Sequence, residues 1–204
     1  MWHFNGQIIK TPKAMVISDI THPPGIFRDS AMLTSLGIKP YREVRPDSRY
    51  YSNGAYTVDT SGAEVVGTYA GVVKDVAALK AGMLDTINSQ VSSKQGAIDW
   101  YWARADKGGT AVPANIATYA TTIYSEQATK EGEVAALDTL DKIKEYENKP
   151  HTETRKLEVY DADGNMTYHA SDTRTVARHI NMLHHWTANP TDEVDAGFVS
   201  LTAD

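Results

Sequence analysis

Apolar residues recur at steps of three and four through the middle of the chain, which is the spacing of one helix face. The first such stripe predicts a helical stretch over residues 72–105. Its positions are Val73, Val76, Lys80, Met83, Ile87, Val91 and Ile98, all of them apolar except Lys80. A second helical stretch is predicted for residues 113–148, in two parts with a break in the polar segment Ser125–Gly132. Pro150 is expected to end this second stretch, because proline cannot continue a helix.

Turn residues between short apolar runs predict β-hairpins at three places. Asn5-Gly6 separates Trp2–Phe4 from Gln7–Ile9, and both turn residues tolerate a positive φ. Asp59–Gly62 and Asp161–Asn165 have the same turn chemistry, and each lies between two further strand-like runs.

Two more helices are predicted outside the central region. A short helix over Asp29–Leu36 is stopped by Gly37. Another helix is predicted for Thr173–Trp186, with Ser171 or Asp172 as its N-cap.

Together these elements predict an α+β fold in three regions. Residues 1–71 form a β-hairpin-rich N-terminal lobe, residues 72–150 a central helical hairpin, and residues 151–204 a C-terminal β-hairpin, a helix and an extended tail. Apolar positions within the acidic tail are Val194, Phe198, Val199 and Leu201. We expect Phe198–Leu201 to add a strand to the sheet edge of a neighbouring protein.

Composition narrows the classes of partner. The chain has 204 residues, is 41% hydrophobic and carries a formal net charge of −6, which favours a globular protein and disfavours nucleic-acid binding. It has no cysteine, so it forms no disulfide and no thiolate metal site. No run reaches the ~18 apolar residues of a membrane span, and residues 1–10 lack a signal-peptide core. We therefore expect synthesis in the cytoplasm and no membrane partner.

Two groups of residues have some features of a metal site, and we expect neither to bind metal. His179, His184 and His185 are spaced by five and one, whereas metal-binding pairs on a helix favour i, i+4. The loop Asp161–Asn165 matches the first three ligand positions of a calcium loop but has Met166 where that loop needs glycine. The sequence thus predicts no metal, no cofactor and no catalytic residue.

Aromatic residues are instead the candidates for packing and interfaces. Trp100 and Arg104 are one helical turn apart, which predicts a cation–π contact. The loop that follows is short, so the Trp100–Trp102 segment is expected to pack on the next helix near Ile116 and Tyr119. The full set of predicted interface or packing residues is Trp2, Phe4, Trp100, Trp102, Arg104, Tyr119, Trp186 and Phe198.

Several runs carry a resemblance to a known class of proteins. They are Gly37–Pro40, Pro46–Tyr51, VVKDVAALKAGM at 72–83, DWYWARADKGGTAVPANIATY at 99–119 and KIKEYENKP at 142–150. In these runs the chain resembles short tail-fibre and tail-fibre-assembly-like proteins of bacteriophages, of the type found in phages of marine bacteria, including cyanobacteria. The resemblance covers about residues 1–150, and residues 151–204 match no family.

The resemblance implies a structural role in the virion. We expect a tail protein, either a fibre, a fibre adaptor or a peripheral tail subunit, that contacts other virion proteins and forms a homo-oligomer. Two alternatives remain open: a tail-fibre assembly chaperone that is absent from the mature particle, and a capsid decoration protein.

Overall fold

The computed structural model describes residues 1–192 and 198–203. Helices and strands occur in similar amounts, so the predicted α+β class is confirmed, as are the N-terminal strands and the C-terminal hairpin. The chain divides into two compact units, Met1–Lys74 and Asp75–Asp204.

Unit 1 is built mainly of strands. They are β1 (Trp2–Phe4), β2 (Gln7–Ile9), β3 (Met15–Ile17), β4 (Ile20–His22), β5 (Lys39–Val44), β6 (Tyr51–Asp59) and β7 (Val65–Val73). A five-stranded sheet has the order β2-β1-β5-β7-β6, and β3 and β4 form a separate hairpin. All pairings are antiparallel except that of β5 with β7, which is parallel.

The turns of unit 1 follow their local chemistry. Asn5 and Gly6 have φ of 46° and 77°, as the predicted two-residue turn between β1 and β2 requires. The predicted hairpin around Asp59–Gly62 is confirmed as β6 and β7. Ser18 and Asp19, at the tip of the β3–β4 hairpin, also have positive φ values of 51° and 63°, which non-glycine residues adopt at some cost.

The hydrophobic core of unit 1 lies between the β1–β2 end of the sheet and the segment that follows β4. This segment contains a 3-10 helix, Pro24–Arg28, and then helix α1, Ser30–Ser35. The Asp29 carboxylate accepts hydrogen bonds from two backbone amides at the start of α1, so the predicted short helix is confirmed with a defined N-cap. The buried cluster comprises Ile9, Ile26, Phe27, Leu33 and Ile38.

Gly67 on β7 provides the space for a tyrosine pair. The hydroxyls of Tyr41 and Tyr56 are hydrogen-bonded at 2.6 Å. This bond and burial raise the pKa of Tyr41 to about 12. A Cβ at Gly67 would lie 2.2 Å from the Tyr56 hydroxyl and 2.4 Å from that of Tyr41, so a larger residue would displace the pair.

Unit 2 begins with helices. They are α2 (Val76–Gly96), α3 (Asp99–Asp106), α4 (Ala114–Ala136) and α5 (Leu140–Glu147). The two long helices α2 and α4 pack on each other through the predicted stripe and its partners. The buried side chains from these two helices are Met83, Ile87, Val91, Ile116, Tyr119, Ile123, Lys130 and Val134.

The predicted break in the second helical stretch was placed wrongly. Helix α4 runs without interruption through Ser125–Gly132, and the chain leaves the helix only at Leu137. Continuity is maintained because the buried stripe continues from Ile123 through Lys130 to Val134, at seven- and four-residue steps. At the end of α4 the Lys80 ammonium donates to the Ala135 carbonyl at 2.6 Å, where a cation is favourable.

A three-stranded antiparallel sheet completes the described part of unit 2. Its strands are β8 (Lys149–Tyr160), β9 (Met166–Ile180) and β10 (Phe198–Ala203), in the order β10-β8-β9. The predicted turn at Asp161–Asn165 joins β8 to β9.

The helix predicted for Thr173–Trp186 is wrong, because residues 173–180 belong to β9. Thr173, Thr175 and Val176 are β-branched residues that favour a strand, and β9 pairs with β8 along most of its length. The strand predicted at Phe198–Leu201 exists as part of β10. Its partner is β8 of the same chain, not the neighbouring protein that we expected. Val194 lies outside the described residues.

Candidate functional site

The predicted packing residues fall in separate places. In unit 1, Trp2 and Phe4 pack against the buried cluster, and the Trp2 and Phe27 ring centroids are 4.7 Å apart. In unit 2, Tyr119 is buried between the long helices, whereas Trp102 is only half-buried. Phe198 begins β10, where its backbone is in register with Arg155.

Helix α3 does not pack as predicted. Trp100 is 51% exposed, and no side chain of this helix is buried. Ile98, just before α3, is fully buried and occupies the core position that was expected for Trp100. The break between α2 and α3 leaves Trp100 facing outward. The predicted cation–π contact is confirmed: the Arg104 guanidinium lies 4.9 Å from the Trp100 ring centroid and 5.5 Å from that of Tyr101.

Replacement of Trp100 with alanine should therefore have only a small effect on stability. We expect a loss of about 0.5–1 kcal/mol from the exposed cation–π contact. Ile98→Ala is the matched comparison and should cost about 2–5 kcal/mol, because it leaves a cavity. Thermal melts of the two variants test this order, and a larger loss for Trp100→Ala would place that ring in the core after all.

A polar cleft of about 300 Å³ lies beside α4 in unit 2. Its lining consists of Thr122, Ser125, Glu126, Thr129, Lys130, Glu133, Met182 and His185. Lys130 is only 5% exposed, donates to the Met182 carbonyl and lies 4.9 Å from the Trp186 ring centroid. Burial lowers the pKa of Lys130, and the carboxylates of Glu133 and Glu126 oppose this shift.

The segment after β9 is fixed to the helices at this cleft. The Trp186 indole donates to the Leu183 carbonyl at 3.0 Å and to the Gln90 side chain on α2. The Thr187 hydroxyl and amide both donate to the Glu126 carboxylate. Glu126 thus fixes this segment to α4, and Glu133 accepts a hydrogen bond from the Tyr146 hydroxyl at 2.9 Å.

Glu153 on β8 is a buried carboxylate that holds two arginines. It accepts from Arg155 at 2.7 Å and from Arg178 on β9 at 2.5 Å, and its side chain is 10% exposed. Such an ion group is costly to leave half paired, so it fixes the relative position of β8 and β9. His151 on the same strand is 4% exposed, and its ring centroid lies 6.2 Å from that of His185.

The residues considered for metal binding are used in other ways. His179 lies on β9, and His184 and His185 follow that strand. The prediction that these three histidines lie on a helix is therefore wrong. The Asp161 carboxylate accepts from the backbone amides of Asp163 and Asn165, which closes the β8–β9 turn and lowers the pKa of Asp161. Within residues 1–192 and 198–203, no three His, Asp or Glu side chains converge as metal ligands.

The lowered pKa of Lys130 predicts that the difference in stability between the wild-type protein and Lys130→Met depends on pH. Below its folded-state pKa the lysine is charged in both states, and its burial costs stability. As pH rises towards the usual value of 10.5, the folded state releases its proton first, so the wild-type protein gains free energy of unfolding relative to Lys130→Met. Denaturant melts of both proteins between about pH 8 and pH 10.5 measure this difference. A difference that stays constant would mean that the folded and unfolded pKa values are equal.

Each unit also has exposed apolar side chains on strands. In unit 1 we define the outer strand surface as Tyr56, Val58, Val72 and Val73, of which Val72 is 54% exposed. In unit 2 we define the hairpin tip as Leu157, Val159, Tyr160 and Met166, of which Tyr160 is 63% exposed. Consecutive side chains of a strand point to opposite faces, so each of these groups exposes apolar atoms on both faces of its strands. Exposed apolar groups of this kind are available to bind another protein.

Comparisons with known proteins found no relative of this chain. No family model matches it, and no curated protein or solved structure is significantly similar to it. Among the described residues, the helices lack the combination of length and hydrophobicity that is needed to cross a lipid bilayer.

Proposed function

We propose that this chain is a structural protein of a bacteriophage particle that belongs to the tail and acts through protein–protein contacts. The main observation in favour is the set of apolar side chains left exposed on strands, at the outer strand surface and at the hairpin tip. In a working assembly we expect other virion proteins to cover these groups. The resemblance of residues 1–150 to tail-fibre and fibre-assembly-like proteins supports the same role.

In this proposal the protein works by binding and not by catalysis, and it needs no cofactor. The polar side chains of the cleft beside α4 are consistent with a binding role. Lys130, Glu126 and Glu133 each form a hydrogen bond within the chain and so stabilise its fold. The proposed location is the virion, after synthesis in the host cytoplasm.

Quantitative mass spectrometry of purified particles tests the proposal. We expect the chain in finished particles at the low copy number of a tail component. Its presence in infected cells but absence from particles would identify an assembly chaperone, and hundreds of copies would identify a capsid decoration protein. Either result would overturn the tail assignment.

A second experiment asks which surface joins the particle. Tyr160→Ser combined with Met166→Ser removes apolar groups from the hairpin tip without touching the buried core. We expect normal folding of the isolated protein and reduced incorporation into particles. Val16→Ser, a 67% exposed position outside both defined surfaces, is the matched control. Full incorporation of the hairpin-tip variant would show that attachment does not use this surface.

A further inference from the structure

A second cleft in unit 2, of about 470 Å³, lies between the three-stranded sheet and the segment that follows β9. The residues that line it include Glu153, Arg155, Arg178, Ile180, His185 and Leu201. Its volume falls in the range of small-molecule sites. We propose that this cleft binds a small molecule through a carboxylate group, which is received by the guanidinium of Arg178. This binding goes beyond the proposed role in a virion and does not depend on it.

Strand register brings the charged groups of the cleft onto one face of the sheet. Side chains alternate between the two faces along a strand, and residues directly opposite each other share a face. Arg178 is in register with His151 on β8, so it shares a face with Glu153, two residues further along that strand. Leu201 of β10 is in register with Glu153 and lies on this face too. All three strands therefore contribute to the cleft.

Glu153 fixes the direction of the Arg178 guanidinium. The Nε group of Arg178 donates to the Glu153 carboxylate at 2.5 Å, while the Arg178 side chain is 51% exposed. Within residues 1–192 and 198–203, no other group is bonded to this guanidinium. Its two Nη groups are therefore available to a ligand. Two parallel N–H groups of a guanidinium match the two oxygens of a carboxylate.

The charge of the cleft favours a ligand with a single negative charge. Arg155 and Arg178 share one carboxylate, that of Glu153, which leaves one positive charge in excess. Burial and the nearby Lys130 lower the pKa of His185, so this ring is mostly uncharged at neutral pH. A carboxylate balances the excess charge. A phosphate dianion would place a second negative charge close to Glu153, which is unfavourable at short range.

Apolar side chains in the same cleft can contact the rest of the ligand. Ile180 and Leu201 line the cleft and are partly exposed. The carbon skeleton of a sugar acid can lie against them while its carboxylate reaches Arg178, a combination that is common in small-molecule sites. We therefore expect a ligand of sugar-acid size and not a bare inorganic anion.

Nuclear magnetic resonance of the full-length wild-type protein tests the site directly. D-glucuronate is titrated into protein labelled at its isoleucine and leucine methyl groups. We expect the signals of Ile180 and Leu201 to shift until they saturate, and the signal of the buried Ile123 to stay in place. Glucose, which lacks the carboxylate, should cause no such shift. Equal shifts with glucose, or no shift with glucuronate, would overturn the proposal.

Glucose 6-phosphate tests the choice of carboxylate over phosphate. It carries nearly two negative charges at neutral pH on a sugar of similar size, so the Glu153 carboxylate should weaken its binding. Binding as tight as that of glucuronate, or tighter, would overturn the carboxylate assignment.

Substitutions on β9 identify the guanidinium. Arg178→Gln should weaken glucuronate binding about tenfold or more, because charge-assisted hydrogen bonds are lost. Arg178→Lys keeps the charge but loses the planar fork, so it should also weaken binding. The matched control is Arg174→Gln, which removes the same charge from the same strand outside the cleft and should change binding by less than about twofold.

Equal losses in Arg178→Gln and Arg174→Gln would mean that only general charge attraction acts, and would overturn the site. Thermal melts followed by circular dichroism check that each variant is folded. If the Arg178 variants do not fold, the wild-type titration with glucuronate and glucose decides alone.

Discussion

Replacing Ile123 with alanine is expected to cost about 2–5 kcal/mol of unfolding free energy. Ile123 is fully buried on α4, in the stripe that faces α2. Truncation removes buried apolar area and leaves a cavity that two long helices cannot close without losing other contacts. Denaturant melts followed by circular dichroism measure the loss directly.

The adjacent residue provides the control. Tyr124 is 57% exposed on the same helix, so Tyr124→Ala should change stability by no more than about 0.5 kcal/mol. The two substitutions share the helix and differ by one position in the sequence, so their contrast isolates burial. Similar losses for both would mean that α4 packs through a different face.

The second large effect is expected at Trp186. Its indole donates to Leu183 and Gln90, and its ring lies beneath the Lys130 ammonium. Trp186→Ala should cost about 2–3 kcal/mol, somewhat below the value for a fully buried tryptophan because the ring is only half-buried. Because this residue holds the segment after β9 on the helices, we also expect faster amide exchange in residues 182–187.

Trp186→Phe separates the ring from its N–H group. Phenylalanine keeps an aromatic face for Lys130 but leaves the Leu183 carbonyl and the Gln90 side chain without their donor. We expect a loss of about 1 kcal/mol, the typical net value of a hydrogen bond. If Trp186→Ala were no worse than Trp186→Phe, the cation–π contact and ring packing would contribute nothing.

Local chemistry was enough to predict the turns and most of the helices. Asn5-Gly6 and Asp161–Asn165 specify their hairpins because few other residues adopt the required backbone angles. The stripe at Met83, Ile87 and Val91 specifies α2 because its spacing matches a single helix face.

Strand pairing and tertiary contacts determined the structure of the segments that local sequence patterns did not predict. Residues 173–186 have a helix-like pattern, but the long β8–β9 ladder takes residues 173–180 into a strand. The cleft beside α4 was missed for a related reason. Lys130 occupies a position of the buried stripe seven residues after Ile123, and this spacing was the available signal. A charged residue there is buried only because the Met182 carbonyl and the Trp186 ring satisfy it.

The parallel pairing of β5 with β7 has a consequence for the order of folding in unit 1. Tyr41 pairs with Val65 across a connection that contains all of β6, whereas β6 and β7 are joined by a short turn. Closing the longer loop costs more chain entropy before any contact is gained. We therefore expect the β6–β7 hairpin to form first and β5 to join it later, followed by β1 at the Trp2–Pro40 pair. Pulse-labelled amide exchange during refolding should show protection in that sequence.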